Sequence, residues 1–174
     1  MSNKVFIFVI VVIALAFGSI FITSKKNAPV ASERPGIEQP DKGREHVPAS
    51  TAKNTGSEPP TSGPHSSQVP WQSYDQELPD GNVIHNLEHG GIYISYRPDL
   101  PADQISKINA LFFAPFSRDN FQPNKAIVAP RTENQSPIVM SSWNRSLKLQ
   151  SFDETKMVEY YLQNIGKAPE AGAQ

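Results

Sequence analysis

Two histidines and one glutamate lie within five residues, between positions 85 and 89, and two glycines follow them directly. Imidazole and carboxylate groups are common protein ligands of zinc, and imidazole also binds copper. The same groups exchange protons near neutral pH. Residues 85–91 (His-Asn-Leu-Glu-His-Gly-Gly, here the His-Gly motif) are therefore the first candidate site, with His85, Glu88 and His89 as its reactive members.

The four-residue spacing between His85 and His89 has two structural meanings. On a helix, residues four apart share a face and approach within about 6 Å, close enough to chelate one ion. On a strand, their Cα atoms lie about 13 Å apart, too far for one metal. Because Gly90 and Gly91 disfavour a long helix through His89, a single helical turn or a tight loop is expected here.

Residues 85–89 also fit the His-x-x-Glu-His pattern of one class of zinc proteases. In that interpretation the ion lies between His85 and His89, and Glu88 is the general base. Such proteases hold the pattern within a long helix, which the glycines interrupt here. The protease interpretation is therefore the weaker one.

Composition excludes several other kinds of site. The chain of 174 residues contains no cysteine, which excludes disulfides, iron–sulfur clusters, thiol catalysis and cysteine-ligated zinc or blue copper. Residues 58–174 carry nine Lys and Arg against thirteen Asp and Glu. Nucleic-acid binding needs a basic face, so this acidic balance argues against a nucleic-acid partner.

Residues 5–22 form an uninterrupted run of eighteen apolar or small residues. A helix of that length spans about 27 Å, close to the hydrocarbon thickness of a bilayer. The run is longer than the roughly 7–15 apolar residues of a signal peptide. It predicts a signal-anchor transmembrane helix over residues 1–24, with a lipid bilayer as partner of residues 5–22. A cleaved signal peptide is the alternative.

Residues 25–57 are rich in Pro, Ser, Thr and charged residues and contain no aromatic residue. Such a segment buries too little apolar surface to offset its ordering entropy, so a disordered tether is expected. His46 lies within it and is interpreted as a bystander. The compact domain is expected over residues 58–172.

Strand and helix patterns alternate irregularly within that domain. One helix is predicted after Pro101 and another after Asp153, a residue suited to capping. Strands are predicted over residues 92–96, 126–130 and 138–143, with a further candidate over residues 146–152. The pattern predicts an α+β fold, in which two helices cover a small mixed or antiparallel sheet.

A second motif precedes the His-Gly motif. Residues 59–65 (Pro-Pro-Thr-Ser-Gly-Pro-His, here the Pro-rich motif) are too restricted in backbone for a helix or central strand, so they form a shaped loop. With these two motifs the chain resembles the domain-of-unknown-function family numbered 3105, over roughly residues 58–170. The resemblance extends to Pro70, Trp71, Tyr74, Tyr96, residues 137–139 and Trp143. Residues 141–143 read Ser-Ser-Trp, where family members often read Thr-Ala-Trp.

The resemblance implies a location and a domain boundary but no reaction. The family consists largely of prokaryotic proteins, many with an N-terminal membrane anchor, which implies a single-pass cell-membrane protein with an extracytoplasmic C-terminal domain. Charge alone favours the opposite orientation, because Lys25, Lys26 and Arg34 outnumber Lys4.

His65 matches the histidine of the family's first motif, and His85, Glu88 and His89 match the second. Three histidines in two motifs predict a convergent site that binds Zn²⁺ or Cu²⁺ through His65, His85 and His89. Glu88 is expected as a fourth ligand or as the group that orients a histidine. Met140, on a neighbouring predicted strand, is a further candidate ligand that would favour Cu(I), although core packing is the commoner role of methionine.

The metal site leads to one preferred function and two alternatives. The preferred function is a membrane-anchored, extracytoplasmic metal-binding protein, used for metal binding or delivery. The first alternative is a non-enzymatic cell-envelope interaction module with structural histidines and an unknown envelope partner. The second is an anchored metallohydrolase, which needs an open coordination position and a substrate cleft.

Overall fold

The computed structural model describes residues 34–52, 56, 58–113, 121 and 124–172. The secondary-structure elements, in chain order, are β1 (Ile37–Glu38), α1 (Asp80–Glu88), β2 (Ile92–Tyr96), α2 (Ala102–Phe113), β3 (Ala126–Pro130), β4 (Ile138–Ser142), β5 (Arg145–Leu149) and α3 (Glu154–Asn164). The predicted transmembrane segment, residues 5–22, lies outside the described residues. Among those described, no helix has both the length and the apolar character needed to cross a membrane.

The strands form one five-stranded sheet in the order β1-β5-β4-β2-β3. Only the β2–β3 pair is parallel, and α2 lies in the connection between these two strands. The other three pairs are antiparallel. The sheet is therefore mixed, and the described fold is α+β with three helices rather than the two predicted.

Side chains of the central strands alternate between two apolar clusters, one on each face of the sheet. Residues Ile92, Ile94 and Met140 point to the cluster that also contains Ile108 of α2 and Met157 of α3. The opposite face carries a second cluster, whose members from the sheet and from α1 are Tyr93, Ile127, Ala129, Val83, Ile84 and Leu87. The predicted functional motifs lie on this second face, beside α1.

Met140 thus lies on the face of the sheet opposite α1, fully buried among apolar side chains. That position does not support the predicted role of Met140 as a metal ligand. It agrees with the alternative of core packing, because a flexible thioether fills irregular apolar space well.

The compact unit begins at Arg34, well before the predicted boundary at residue 58. Ile37 and Glu38 pair with Ser146 and Arg145 as an edge strand, within the segment predicted to be a disordered tether. Hydrogen bonds of the Arg34 guanidinium to the Asn164 side chain, 2.8 and 3.0 Å long, hold the same segment to α3. Polar contacts with the domain hold the described part of this segment, and a composition-based argument cannot detect them.

The C-terminal helix forms as its sequence predicts. The Asp153 carboxylate accepts a hydrogen bond from the Lys156 amide at 3.1 Å and caps α3. Gly166, at φ +69°, lies two residues beyond the last helical residue. Its amide donates to the Gly90 carbonyl, which ties the end of α3 to the His-Gly motif.

Candidate metal site

Helix α1 places three of the predicted site residues beside one another. The helix runs over Asp80–Glu88, and the His89 amide still donates to the His85 carbonyl at 3.1 Å. Residues three and four apart lie on one helical face, so His85, Glu88 and His89 project together. The sequence predicted a single helical turn or a tight loop here, but α1 has nine residues.

The two glycines are required by the backbone and by close packing. Gly90 adopts φ +82°, a conformation that L-residues avoid. A Cβ on Gly91 would lie 2.3 Å from the Trp71 ring. The glycines therefore end the helix directly after His89 and let the chain enter β2 beneath an aromatic ring.

The segment after the Pro-rich motif is attached to α1 by direct hydrogen bonds. The Ser66 amide donates to the Gly81 carbonyl at 3.1 Å. Asn86 bonds both backbone groups of Val69, accepting from its N–H at 2.9 Å and donating to its carbonyl at 2.8 Å. Paired contacts of this kind fix the register of the loop on the helix. The Pro-rich and His-Gly motifs therefore act as one structural unit.

His46 joins this unit through the backbone of the Pro-rich motif. The His65 amide donates to the Glu45 carbonyl, and the Val47 amide donates to the His65 carbonyl. This isolated bridge sets His46 directly against His65. The prediction that His46 is a bystander does not match its position.

All four histidines of the chain consequently form one continuous cluster. Ring centroids are separated by 4.4 Å between His46 and His65, 5.1 Å between His46 and His85, and 5.1 Å between His65 and His85. The His89 ring lies 4.6 Å from His85. One ring nitrogen from each of His46, His65 and His85 lies within 4.8 Å of the other two.

The orientation of two rings follows from their backbone partners. His65 Nδ1 lies 2.9 Å from the Gly63 carbonyl oxygen, and His85 Nδ1 lies in short contact with the Ser66 carbonyl oxygen. A carbonyl oxygen can only accept, so Nδ1 carries the proton in both rings. In the neutral imidazole Nε2 then presents a lone pair, which is the arrangement that orients metal-binding histidines.

The Glu88 carboxylate lies beside the His65 ring. Its Oε2 lies 2.9 Å from His65 Nε2, and both side chains are almost completely buried. The short distance does not correspond to a well-formed hydrogen bond. Among the described residues, His65 Nε2 and both Glu88 oxygens lack a hydrogen-bond partner. A buried carboxylate in this state is costly unless a cation or proton joins it.

His89 faces a different partner. Its Nε2 lies 3.9 Å from Oε2 of the exposed Glu170, and its Nδ1 lacks a hydrogen-bond partner among the described residues. Atoms of Glu88, His89 and Glu170 approach within 4.8 Å of one another. Burial lowers the pKa of His89, and the neighbouring His85 lowers it further, although Glu170 and Glu88 oppose this. His89 therefore favours the neutral form that binds metals.

Solvent reaches the cluster from one side. His46 is exposed and His85 is half-buried, whereas His65 is inaccessible. A shallow depression, lined in part by His46, Pro48, Ser67 and His85, opens above these rings. His46 and His85 therefore border this depression, and the centroid of the buried His65 ring lies 4.4 and 5.1 Å from the centroids of their rings.

A buried ion pair fixes the opposite end of α1. Asp80, the first helical residue, contacts Arg131 directly after β3, and the two side chains are 5% and 0% exposed. Burial alone lowers the pKa of Arg131, but the negative charge of Asp80 and its hydrogen bond raise it, and the net shift is upward. Arg131 also donates to the Gly56 carbonyl at 3.1 Å. This pair joins α1 to the sheet on which the site depends.

The predicted site residues thus divide between two adjacent groups. The structure brings His65 and His85 together, places Glu88 against His65, and groups His89 with Glu88 and Glu170. Sequence reasoning missed His46 and Glu170. His46 lies in a segment with no aromatic residue and Glu170 lies in a polar C-terminal tail, so only their residue types could have drawn attention to them.

Comparison with known proteins adds a family but no activity. The profile of a family described as "Protein of unknown function (DUF3105)" matches residues 46–174, and this range includes all four histidines and Glu170. Neither the curated proteins nor the solved structures include a significant match.

Proposed function

Because this chain belongs to the DUF3105 family, whose description names no activity, we propose a function from the site itself. The domain binds a divalent transition-metal ion, zinc or copper, through His46, His65 and His85. Glu88 is a further ligand at the buried side. The apolar run of residues 5–22 anchors the chain in the cell membrane and places the domain outside the cytoplasm, where it takes up or delivers the ion.

The observation that carries this proposal is the shared orientation of two buried or half-buried imidazoles. His65 and His85 each donate Nδ1–H to a carbonyl of the same loop, which leaves Nε2 available on both rings. Three imidazoles suit zinc and copper, and oxygen-preferring ions such as Mg²⁺ and Ca²⁺ do not fit them. Met140 lies across the sheet, so its thioether does not support a preference for Cu(I).

The separation of His65 Nε2 and Glu88 Oε2 supports the same proposal. Two ligands about 2.0–2.1 Å from one ion lie about 2.9–3.4 Å apart at coordination angles between octahedral and tetrahedral. The observed 2.9 Å falls in this range. His46 is exposed, and one of its ring nitrogens lies within 4.8 Å of those of His65 and His85, so a small side-chain movement can close the remaining distance to the ion.

Metal content of the full-length chain tests the proposal. The protein is purified in detergent, stripped with a chelator and dialysed against Zn²⁺ or Cu²⁺, and bound metal is measured by elemental analysis. At least one ion per chain is expected, with a higher melting temperature because the ion binds the native state. Fewer than one ion per three chains would refute the proposal.

Variants at accessible positions identify the ligands. His46→Ala and His85→Ala are expected to weaken metal binding at least tenfold. Gln68→Ala changes an exposed residue close to His65 in the chain and is expected to leave metal binding unchanged. Equal affinities in all three variants would assign the bound ion to another part of the chain. Protease accessibility on intact cells tests the location, and protection of the domain would refute it.

The second candidate is the envelope interaction module with structural histidines. The observation in its favour is the complete burial of His65 and Glu88, which is typical of a proton-linked pair that holds a loop on a helix. In that case removal of either partner destabilises the metal-free protein, and added metal leaves the melting temperature unchanged. The metallohydrolase alternative needs turnover of a substrate in the depression beside His46 and His85.

A further inference from the structure

The side chain of Glu88 lies between two groups of metal-binding residues. On one side its Oε2 is 2.9 Å from His65 Nε2, within the cluster of His46, His65 and His85. On the other side, Glu88 forms a group with His89 and Glu170, whose ligand atoms lie within 4.8 Å of one another. The ring contact between His85 and His89 brings the two groups side by side.

The buried carboxylate of Glu88 offers more than one ion at the three-histidine group uses. Both oxygens of Glu88 and His65 Nε2 are buried and lack hydrogen-bond partners among the described residues. One ion bound to His65 and to one oxygen of Glu88 leaves the second oxygen unsatisfied, and Glu88 also shares a group of ligand atoms with His89 and Glu170. A carboxylate with two free oxygens can join two ions, and paired ions in proteins lie about 3.5–4 Å apart.

We propose that the site is binuclear, with Glu88 bridging two divalent transition-metal ions. The first ion is held by His46, His65 and His85, and the second by His89 and Glu170. This inference rests on the proposed metal-binding function and adds a second position to it. It also assigns a ligand role to Glu170, in the C-terminal segment.

The backbone already holds Glu170 at the required place. The Glu170 amide donates to the Glu88 carbonyl at 3.1 Å, so the two carboxylate-bearing residues are joined directly. The Gly166 amide bonds the Gly90 carbonyl at 2.9 Å and fixes the start of the same segment. These two backbone hydrogen bonds position Glu170 independently of the charge of its side chain.

The charges around the second position are balanced by nearby cations. Arg44 lies 3.8 Å from the Glu170 carboxylate, and Lys125 donates to the His89 carbonyl at 2.9 Å. In the metal-free protein Arg44 offsets part of the negative charge. Arg44 is exposed, so an incoming divalent ion can displace it from Glu170.

Zinc stoichiometry of the full-length protein tests the inference. Native mass spectrometry is expected to show two zinc ions per chain in the wild type. Glu170→Gln, at an exposed position, is expected to weaken binding of one ion at least tenfold and to leave the other unchanged. His46→Ala is expected to weaken binding of the other ion by a similar factor. Glu159→Gln, an exposed glutamate on α3, is the matched control and is expected to retain both ions.

The outcomes separate this inference from the proposed function. No bound zinc in the wild type refutes both. One ion per chain, lost in His46→Ala and unaffected by Glu170→Gln, retains the metal-binding function and refutes the binuclear site. Two ions, with neither affected by Glu170→Gln, also refute it, because the second ion then lies elsewhere.

A spectroscopic measurement tests the bridge. Two Cu²⁺ ions about 3.5–4 Å apart couple magnetically, so the copper-loaded wild type is expected to give a broadened electron paramagnetic resonance spectrum. Glu170→Gln with one bound copper is expected to give the narrow spectrum of an isolated ion. A narrow spectrum from a wild type that binds two copper ions would contradict the shared carboxylate.

Discussion

His65 Nε2 and Glu88 Oε2 lie 2.9 Å apart in the interior, where their side chains are 0% and 1% exposed. The opposite nitrogen of His65 donates to the Gly63 carbonyl. A neutral His65 therefore presents a lone pair to a carboxylate, and the two groups repel each other unless a cation or a proton lies between them. Either a metal ion or a proton between the two groups therefore accounts for their close approach.

Glu88→Gln distinguishes a metal ion from a proton at this position. If a metal ion joins the pair, the neutral amide relieves a buried charge in the metal-free protein. The free energy of unfolding is then expected to stay equal or rise, while zinc affinity falls by at least about tenfold, the smallest effect typical even of groups that only orient a ligand. Chemical denaturation with and without zinc measures both effects. A loss of about 3–5 kcal/mol in the metal-free protein would instead indicate a stabilising imidazolium–carboxylate pair.

The interior of this fold was predictable from local patterns, but the assembly of the site was not. Residues 92–96 and 126–130 form strands at the positions that their apolar sequence predicts, and Asp153 caps α3 as expected. His46 could not be placed, because its position depends on backbone pairing with His65 across a stretch of polar chain. Such pairing has no periodic signature in the sequence.

Two further differences from expectation also have physical explanations. A single helical turn or a tight loop was predicted at α1 because Gly90 and Gly91 disfavour helix, yet both glycines follow the end of α1 and serve the close packing beneath Trp71. The thioether of Met140 can bind a metal, but side chains alternate between the two faces of the sheet along β4, and Met140 lies on the face opposite α1. A residue type alone does not reveal which face of a sheet it occupies until the register is known.

The packing of Gly91 against Trp71 gives a second prediction. Gly91→Ala places a Cβ 2.3 Å from the Trp71 ring, so the ring must move, and overpacking of this kind costs about 1–3 kcal/mol. Trp71→Leu in the same chain is expected to restore part of this loss. Gly172→Ala, where nothing lies within 4 Å of the added atom, is the control. Thermal unfolding measures all three, and an unchanged melting temperature in Gly91→Ala would contradict the described packing.

The buried pair of Asp80 and Arg131 gives a third prediction. Arg131→Met removes the buried guanidinium that contacts the Asp80 carboxylate, and a loss of about 3–5 kcal/mol in the free energy of unfolding is expected. The double variant Asp80→Leu/Arg131→Met is expected to recover much of that loss, because the buried carboxylate is removed together with the guanidinium. Denaturant titration measures the effects.

Arg97 provides the matched control for this pair. It contacts Asp99 with side chains 36% and 69% exposed, so Arg97→Met is expected to cost less than about 1 kcal/mol. Equal losses of unfolding free energy in Arg97→Met and Arg131→Met would contradict the expectation that the buried ion pair contributes more to stability than the exposed one. The zinc stoichiometry of folded Arg131→Met is expected to stay unchanged, because Arg131 lies at the end of α1 away from His85.

The buried hydroxyl of Tyr161 gives a fourth prediction, on alkaline stability. It accepts from the Lys125 amide at 3.0 Å, and burial raises its pKa from 10.0 to about 12. Above pH 10 the unfolded chain releases this proton while the folded domain keeps it. The contribution of Tyr161 to stability is therefore complete below pH 10 and is lost as pH rises toward 12. At about 1.4 kcal/mol per pKa unit, the loss is about 2–3 kcal/mol.

Tyr161→Phe removes this titration and is expected to flatten the fall in stability between pH 10 and 12. The fall will not vanish, since burial also raises the pKa of Tyr93 and Tyr160. Tyr74→Phe is the comparison: burial also raises the pKa of the partly exposed Tyr74, but a hydrogen bond with Gln72 opposes the shift, so this variant is expected to flatten the slope less than Tyr161→Phe. Denaturant midpoints measured at several pH values give the slopes. Identical slopes in the wild type and Tyr161→Phe would show that the folded domain does not retain the Tyr161 proton, because solvent then reaches the hydroxyl between α3 and the start of β3.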